Sequence, residues 1–374
     1  MALAAMCAFA AGGAWAQDGD ASARGPVAAP QTRAAAEAPK AAEWKFAVSG
    51  DSRNCGDVVM PAIAGGVRKD GASFYWHLGD FRKIIDSDED IEHQPEHLKK
   101  PLGRSEYEAL AWNDFLESQI APFGSLPVYL AIGNHETIPP KTRQEYLVQF
   151  GRWLDTPELH AQRLRDDPQT VQVKTYYHWT NGGIDFITLD NATPDEFDAE
   201  QMKWLETILR ADEANPAIRT IVVGMHEALP ESISKGHSMN QSSEIGSEAG
   251  RHVYADLLQA QDAAHKRVYV LASHSHYFMD GIFDTAYWRD HGGILPGWIV
   301  GTAGAQRYSL PPDSKNAREA ETNVYGFLLA TAKADGEIEF TFRQVHESDV
   351  PVSTLQRYGA PFVHWCFAEN SSAR

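Results

Sequence analysis

The sequence predicts an α/β fold built on mixed β-sheets. Three observations carry that prediction: five strand-length apolar runs end at Gly-containing or polar turns, segments of helical period lie between them, and two further stretches read as antiparallel hairpins.

In chain order the runs are residues 45–50 (KFAVSG), 73–79 (SFYWHLG), 127–133 (PVYLAIG), 218–225 (IRTIVVGM) and 267–273 (RVYVLAS). Each is too short for a buried helix and long enough for a core strand. Residues 105–120 (SEYEALAWNDFLESQI), 198–211 (DAEQMKWLETILRA) and 250–265 (GRHVYADLLQAQDAAH) place apolar side chains at the spacing of an amphipathic helix. The stretch 175–191 turns at Asn181-Gly182-Gly183 and the stretch 325–345 at Ala334-Asp335-Gly336, so each predicts a hairpin. Hairpins added to an alternating strand–helix pattern imply a mixed sheet or a second packed sheet. After His346 the pattern specifies no element.

With 374 residues, 43% of them hydrophobic, the chain can bury a large core. A formal charge of −18 argues against a nucleic-acid partner, because phosphate-backbone affinity rests on clustered Lys and Arg. Residues 1–16 hold an apolar run ending in Ala14-Trp15-Ala16, a small-x-small pattern suited to cleavage after Ala16. They predict a signal peptide and a periplasmic or secreted protein. Residues 17–43 are rich in Ala and Pro and predict a flexible linker, residues 44–346 the folded domain, and residues 347–374 a C-terminal extension. Past the leader no run is long enough to span a bilayer. Loss of Cys7 with the leader leaves Cys55 and Cys366, which are compatible with a disulfide or with two free thiols.

In open α/β sheets functional groups gather just beyond the carboxyl ends of the strands. Here those ends read GDSRNCG, GDFR, GNHE, MHEAL and SHSH. Singly they are weak signals: Asp51 and Gly79-Asp80 are common turn chemistry, and His226 alone reads as a buried imidazole. Their joint occurrence at successive strand ends is the informative fact. The carboxylates of Asp51 and Asp80, the amide oxygen of Asn134 and the imidazoles of His226, His274 and His276 form an N/O donor set suited to first-row metals. His274 and His276, one residue apart, are expected on the same side of an extended backbone.

In these motifs the chain resembles the calcineurin-like metallophosphoesterases, whose ordered pattern is D-x-H, G-D-x-x, G-N-H-[DE], a lone His and G-H-x-H. The corresponding residues are Asp51-Ser52-Arg53, Gly79-Asp80-Phe81-Arg82, Gly133-Asn134-His135-Glu136, His226 and Ser273-His274-Ser275-His276, and the resemblance covers residues 44–276. It implies a four-layer αββα sandwich of two mixed sheets flanked by helices. It also implies two divalent or mixed-valence metal ions, zinc, manganese or iron. Asp51, Asp80 and His276 would hold the first, and Asp80, Asn134, His226 and His274 the second, with Asp80 bridging. The implied activity is hydrolysis of small phosphate esters, monoesters or diesters, by attack of a metal-bridging hydroxide on phosphorus. His135 would donate a proton to the leaving group or steady its charge, and Glu136 would orient an imidazole.

Arg53 departs from the pattern, since a guanidinium stays protonated and cannot ligate where the family has a His. It is expected to clamp the substrate phosphoryl group, with water or Asn54 taking the vacated coordination position; pairing with an acid such as Asp57 is the alternative. Lys83 stands where purple acid phosphatases carry a Tyr ligand, which argues against an iron-tyrosinate centre. His77 and His237 are candidates for substrate contact or for packing, and residues 86–92 (DSDEDIE) read as a solvated loop rather than a calcium site.

Two other functions fit parts of the sequence. Gly50-Asp51-Ser52 resembles the first block of the GDSL-type serine esterases, with Ser52 as nucleophile and Asp262-Ala263-Ala264-His265 as the D-x-x-H element. A non-catalytic phosphate-binding module with a degenerate metal site is the other.

Overall fold

A computed structural model describes residues 43–169, 172–239 and 243–372. The expected leader, and the linker apart from its last residue, lie outside them. The strands are β1 (Trp44–Ser49), β2 (Ala72–His77), β3 (Val128–Leu130), β4 (Tyr177–Asn181), β5 (Ile184–Thr188), β6 (Thr220–Gly224), β7 (Arg267–Ala272), β8 (Phe278–Asp280), β9 (Gly297–Val300), β10 (Glu319–Glu321), β11 (Tyr325–Ala332) and β12 (Ile338–Val345). They form a five-stranded sheet in the order β12-β11-β1-β2-β3 and a seven-stranded sheet in the order β10-β8-β9-β7-β6-β5-β4.

Both sheets are mixed. Strands β1, β2 and β3 run parallel and β11 and β12 complete their sheet antiparallel; β5, β6, β7 and β9 run parallel, with β4, β8 and β10 antiparallel. Register makes the parallel strands end level: Ser49 faces His77, which faces Leu130, and Thr188 faces Gly224, which faces Leu271. Loops that follow these strands therefore start from one edge of the molecule.

Aromatic rings fill the space between the sheets. Phe46 and Phe74 stack at 5.1 Å and meet Phe186 of the other sheet edge-on at 5.1 and 5.3 Å, and Tyr129 stacks on Trp179 at 3.9 Å. Burying one such ring contributes about 1.5–3 kcal/mol, so this layer holds the sheets face to face. The helix Gly56–Lys69 covers the outer side of the first sheet. Helices Ala199–Ala214 and Glu244–Asp262 cover the second, packing Leu205, Ile208, Val253 and Leu257 with Ile221, Val223, Val268 and Val270. Their starts are capped by Asp198, accepting from the Gln201 N–H at 2.8 Å, and Ser243, accepting from the Gly246 N–H at 2.7 Å. The result is the four-layer αββα sandwich.

Two local expectations are revised and one open choice is settled. Residues 86–92 are not a solvated loop: Asp88 and Asp90 are fully buried, and Asp90 accepts from Arg82 Nη1 at 2.9 Å. Beyond His346 two helices form, Val352–Tyr358 and Ala360–Ala368, and Tyr358, Phe362 and Val363 join the core of the first sheet. Cys366 on the second of them is disulfide-bonded to Cys55, with Cα atoms 5.9 Å apart, which settles the choice left open by the sequence.

Candidate metal centre

The site is built on the level carboxyl ends of β1, β2, β3, β6 and β7. Its loops are sharply bent: Asp51, Asp80 and His274 have φ of +60°, +61° and +62°, a region costly for side-chain-bearing residues. Backbone hydrogen bonds hold these bends, with Asp51 N–H donating to Gly79 O at 3.0 Å and Ser52 N–H to Asp80 O at 3.0 Å. Gly133 allows the approach of the third loop, since a Cβ there would lie 2.3 Å from Asp80 Oδ1.

His274 and His276 both reach the site, but not by strand alternation. Strand β7 ends at Ala272, and the next residues form a tight bend with Ser275 N–H bonded to Ser273 O at 2.6 Å. The two rings accordingly face different donors.

One group of lone pairs converges from four loops. His226 Nε2 lies 3.0 Å from Asn134 Oδ1, 3.0 Å from His274 Nδ1 and 3.3 Å from Asp80 Oδ1. His226 Nδ1 donates to Leu78 O at 2.8 Å, so its Nε2 lone pair is directed into the group. A tetrahedral cation with bonds of about 2.0–2.1 Å has ligand-to-ligand edges of roughly 3.3–3.4 Å, close to these spacings. Burial disfavours the charged form of His226, yet the Asp80 carboxylate overrides it and lifts the imidazole to about 10, so a cation that takes the Nε2 lone pair displaces a proton there. The pocket thus favours positive charge strongly, and this donor set fits a metal ion.

The other predicted group, Asp51, Asp80 and His276, surrounds a guanidinium. Arg53 Nη2 lies 2.7 Å from His276 Nε2 and Nη1 lies 3.6 Å from Asp80 Oδ2, while Nη1 also contacts His135 Nε2. Asp51 Oδ1 stands 3.2 Å from His276 Nε2, and neither it nor Asp80 Oδ2 has a hydrogen-bond partner. Against the cost of burial, Asp80 and Asp51 raise the Arg53 pKa, so the cation is firmly charged. The alternative partner Asp57 is engaged elsewhere, by Arg82.

The surrounding residues correct several details. Asn54 points away, its Nδ2 donating to Glu89 Oε2 at 2.6 Å, and offers the site no donor. Glu136 orients backbone rather than an imidazole, accepting N–H bonds from Asp80 at 2.8 Å, Phe81 at 2.9 Å and Gly133 at 2.8 Å. His135 donates from Nδ1 to Lys83 O, leaving its Nε2 lone pair for Arg53. Lys83 itself bonds Glu89 at 3.1 Å. His237 is partly buried, its ring 5.5 Å from that of His274. Sequence reasoning missed Tyr308, which stacks on His276 at 3.9 Å and on His237 at 5.2 Å; it stands in a loop with no motif to mark it.

Ser52 has no esterase partner. Its Oγ lies 2.9 Å from His77 Nε2, and His77 Nδ1 accepts the Gly79 N–H at 3.2 Å, so His77 carries its proton on Nε2 and donates it to Ser52. Burial also pushes His77 down to about 3, leaving it no basicity to activate a nucleophile. His265 precedes β7 and so lies at the opposite end of that strand from the site.

The sequence profile described as calcineurin-like phosphoesterase matches residues 45–278. No curated protein matches significantly. Among solved structures, the purple acid phosphatase PPD1 from yellow lupin (Lupinus luteus) seeds superposes with a TM-score of 0.56 at 15% identity, over 81% of this chain and 52% of that one. The chain therefore spans about half the length of that phosphatase, and the likeness is one of fold. PhoD aligns at 13% identity over 83% of this chain and 73% of its own, with a TM-score of 0.45.

Proposed function

Because the chain belongs to the calcineurin-like phosphoesterase family, we propose that it is an exported metal-dependent hydrolase of small phosphate esters. The observation that carries this reading is the convergence of Asp80 Oδ1, Asn134 Oδ1, His226 Nε2 and His274 Nδ1 at spacings suited to a cation. A first-row cation held there supplies Lewis acidity and acidified water at the phosphoryl centre.

The protein groups then divide the work. Leu78 O and Gln306 O take the Nδ1 protons of His226 and His276, which fixes both rings with Nε2 inward. Arg53, buried among two carboxylates and two imidazoles, presents N–H donors beside the cation and clamps phosphoryl oxygens. His135 accepts from that guanidinium and carries no proton on Nε2, so of its two expected roles the steadying of charge, through Arg53, suits it better than proton donation. His237 and Tyr308, partly exposed beside His274 and His276, are placed to contact the substrate. Export is supported by the Cys55–Cys366 disulfide, a bond that persists in oxidising compartments, together with the small-x-small leader at residues 14–16. The folded domain expected over residues 44–346 takes in the C-terminal helices as well, since they share its core.

Protein stripped with chelator and reloaded with zinc, manganese or iron should hydrolyse p-nitrophenyl phosphate or bis(p-nitrophenyl) phosphate only when loaded. His226→Ala should lower kcat/KM by at least about 100-fold together with metal content. Turnover that survives complete metal removal would overturn the proposal.

A further inference from the structure

We infer that this chain binds one metal ion, at Asp80, Asn134, His226 and His274, and that the Arg53 guanidinium permanently takes the place of the other. The inference rests on the phosphoesterase reading above and narrows it, because the family pattern implies two ions.

Occupancy of the His276 donor is the first ground. The lone pair of His276 Nε2 faces Arg53 Nη2 at 2.7 Å, while the Nδ1 proton of the same ring is committed to Gln306 O at 2.6 Å. Asp80 Oδ2 faces Nη1 at 3.6 Å. A metal ion at the Asp51, Asp80 and His276 position would need the His276 Nε2 lone pair that the guanidinium already engages, and beside Asp80 Oδ2 it would meet the guanidinium's positive charge.

Anchoring of the loop is the second. Ser52 N–H donates to Asp80 O at 3.0 Å, Asn54 N–H donates to Asp88 Oδ1 at 2.7 Å, and Cys55 is covalently tied to Cys366. Arg53 sits between these fixed points with its guanidinium held by His135 and His276, so swinging aside would give up both of those hydrogen bonds.

Charge gives the third. At the ligand positions of the two ions stand two carboxylates, Asp51 and Asp80, against one guanidinium, with Glu227 outside them at 3.9 Å from His274 Nε2. Counting the groups at those positions, one divalent ion leaves a single excess positive charge, which a bound phosphate offsets. Two would leave three excess charges in a region shielded from water, where mutual repulsion is strong. The guanidinium thus supplies the electrostatic share of the missing ion, drawing on a phosphoryl oxygen through N–H donors. Attack by a hydroxide shared between two metals is then closed to this chain.

Metal content of the full-length protein, equilibrated with excess manganese or zinc and dialysed, should be one equivalent per chain. The manganese-loaded protein should show an uncoupled mononuclear electron paramagnetic resonance spectrum. Arg53→His, which restores a donor and removes the cation, should raise the content to two equivalents with a spin-coupled manganese pair. His226→Ala, which removes a ligand of the proposed single site, should take the content to zero, whereas a dinuclear protein would keep one equivalent at the Asp51, Asp80 and His276 position; this variant decides the matter if Arg53→His does not fold. Two equivalents in the unmodified protein, with phosphoesterase turnover, would overturn the inference and leave the proposed function standing. No bound metal and no turnover would remove both.

Discussion

Glu136 shows how much of the site is held by a residue that touches no ligand. Its carboxylate gathers three backbone N–H groups from the loops that carry Asp80 and Asn134. Gln in its place has one acceptor and presents an NH2 to donors it cannot satisfy. Glu136→Gln is therefore expected to weaken metal affinity by about 10–100-fold with the fold intact, measured by titration calorimetry. Arg82 is a second buried hub: it donates to Asp57 at 2.5 Å, to Asp90 at 2.9 Å and to Asp114, and all four side chains are buried. Arg82→Met would strand three carboxylates and should cost about 3–5 kcal/mol in urea denaturation, a larger loss than any surface ion pair would give. Neither role could be read from sequence. Arg82 looks like the tail of a motif, and its partners Asp57, Asp90 and Asp114 become neighbours only through folding.

Among the elements, those that announce themselves in sequence are the ones whose burial is set by local pattern. Strands β1, β2, β3, β6 and β7 are continuous apolar runs stopped by Gly or polar turns, and the hairpins β4–β5 and β11–β12 carry their turn residues openly. Helix Gly56–Lys69 was invisible because Pro61, Gly65 and Gly66 all lower helix propensity, yet Gly66 is required where Phe327 approaches: a Cβ there would lie 2.9 Å from its ring. The bend through His274 was equally hidden, since a positive φ at a histidine follows from the contacts around it and not from its neighbours in sequence. Hairpin β4–β5 yields an electrostatic prediction. His178 on β4 is clamped by Asp185 of β5 at 2.8 Å and by Asp166 of the helix Pro157–Asp166 at 2.9 Å. Burial opposes its charge, but Asp185 and Asp166 prevail and raise it to about 10. A pKa above the unfolded value of about 6.5 stabilises the fold fully below that pH, and the benefit drains away as pH rises toward 10. Unfolding free energies from urea titrations should fall between pH 7 and 9.5 with a slope of up to about 1.4 kcal/mol per pH unit from this group, and His178→Asn should flatten that slope.

At the scale of the whole molecule, the Cys55–Cys366 bond joins residues 311 positions apart and fastens the last helix beside the Arg53 loop. Closing so long a loop restricts the unfolded chain severely, and Cys366→Ser should cost about 2–5 kcal/mol, seen as a lower denaturant midpoint in oxidised protein and no difference after reduction. Strand β1 is likewise paired on one side with β2 and on the other with β11, whose Ala332 lies opposite Trp44. The proposed metal donors obey the same long-range logic: Asp80 and Asn134 follow strands of the five-stranded sheet, His226 and His274 strands of the seven-stranded one. A fragment ending between β3 and β4 would own the oxygens and lack the nitrogens, and its complement would own the reverse. Affinity for the proposed cation is consequently not divisible between halves of the chain, and any event that parts the two layers is expected to release it.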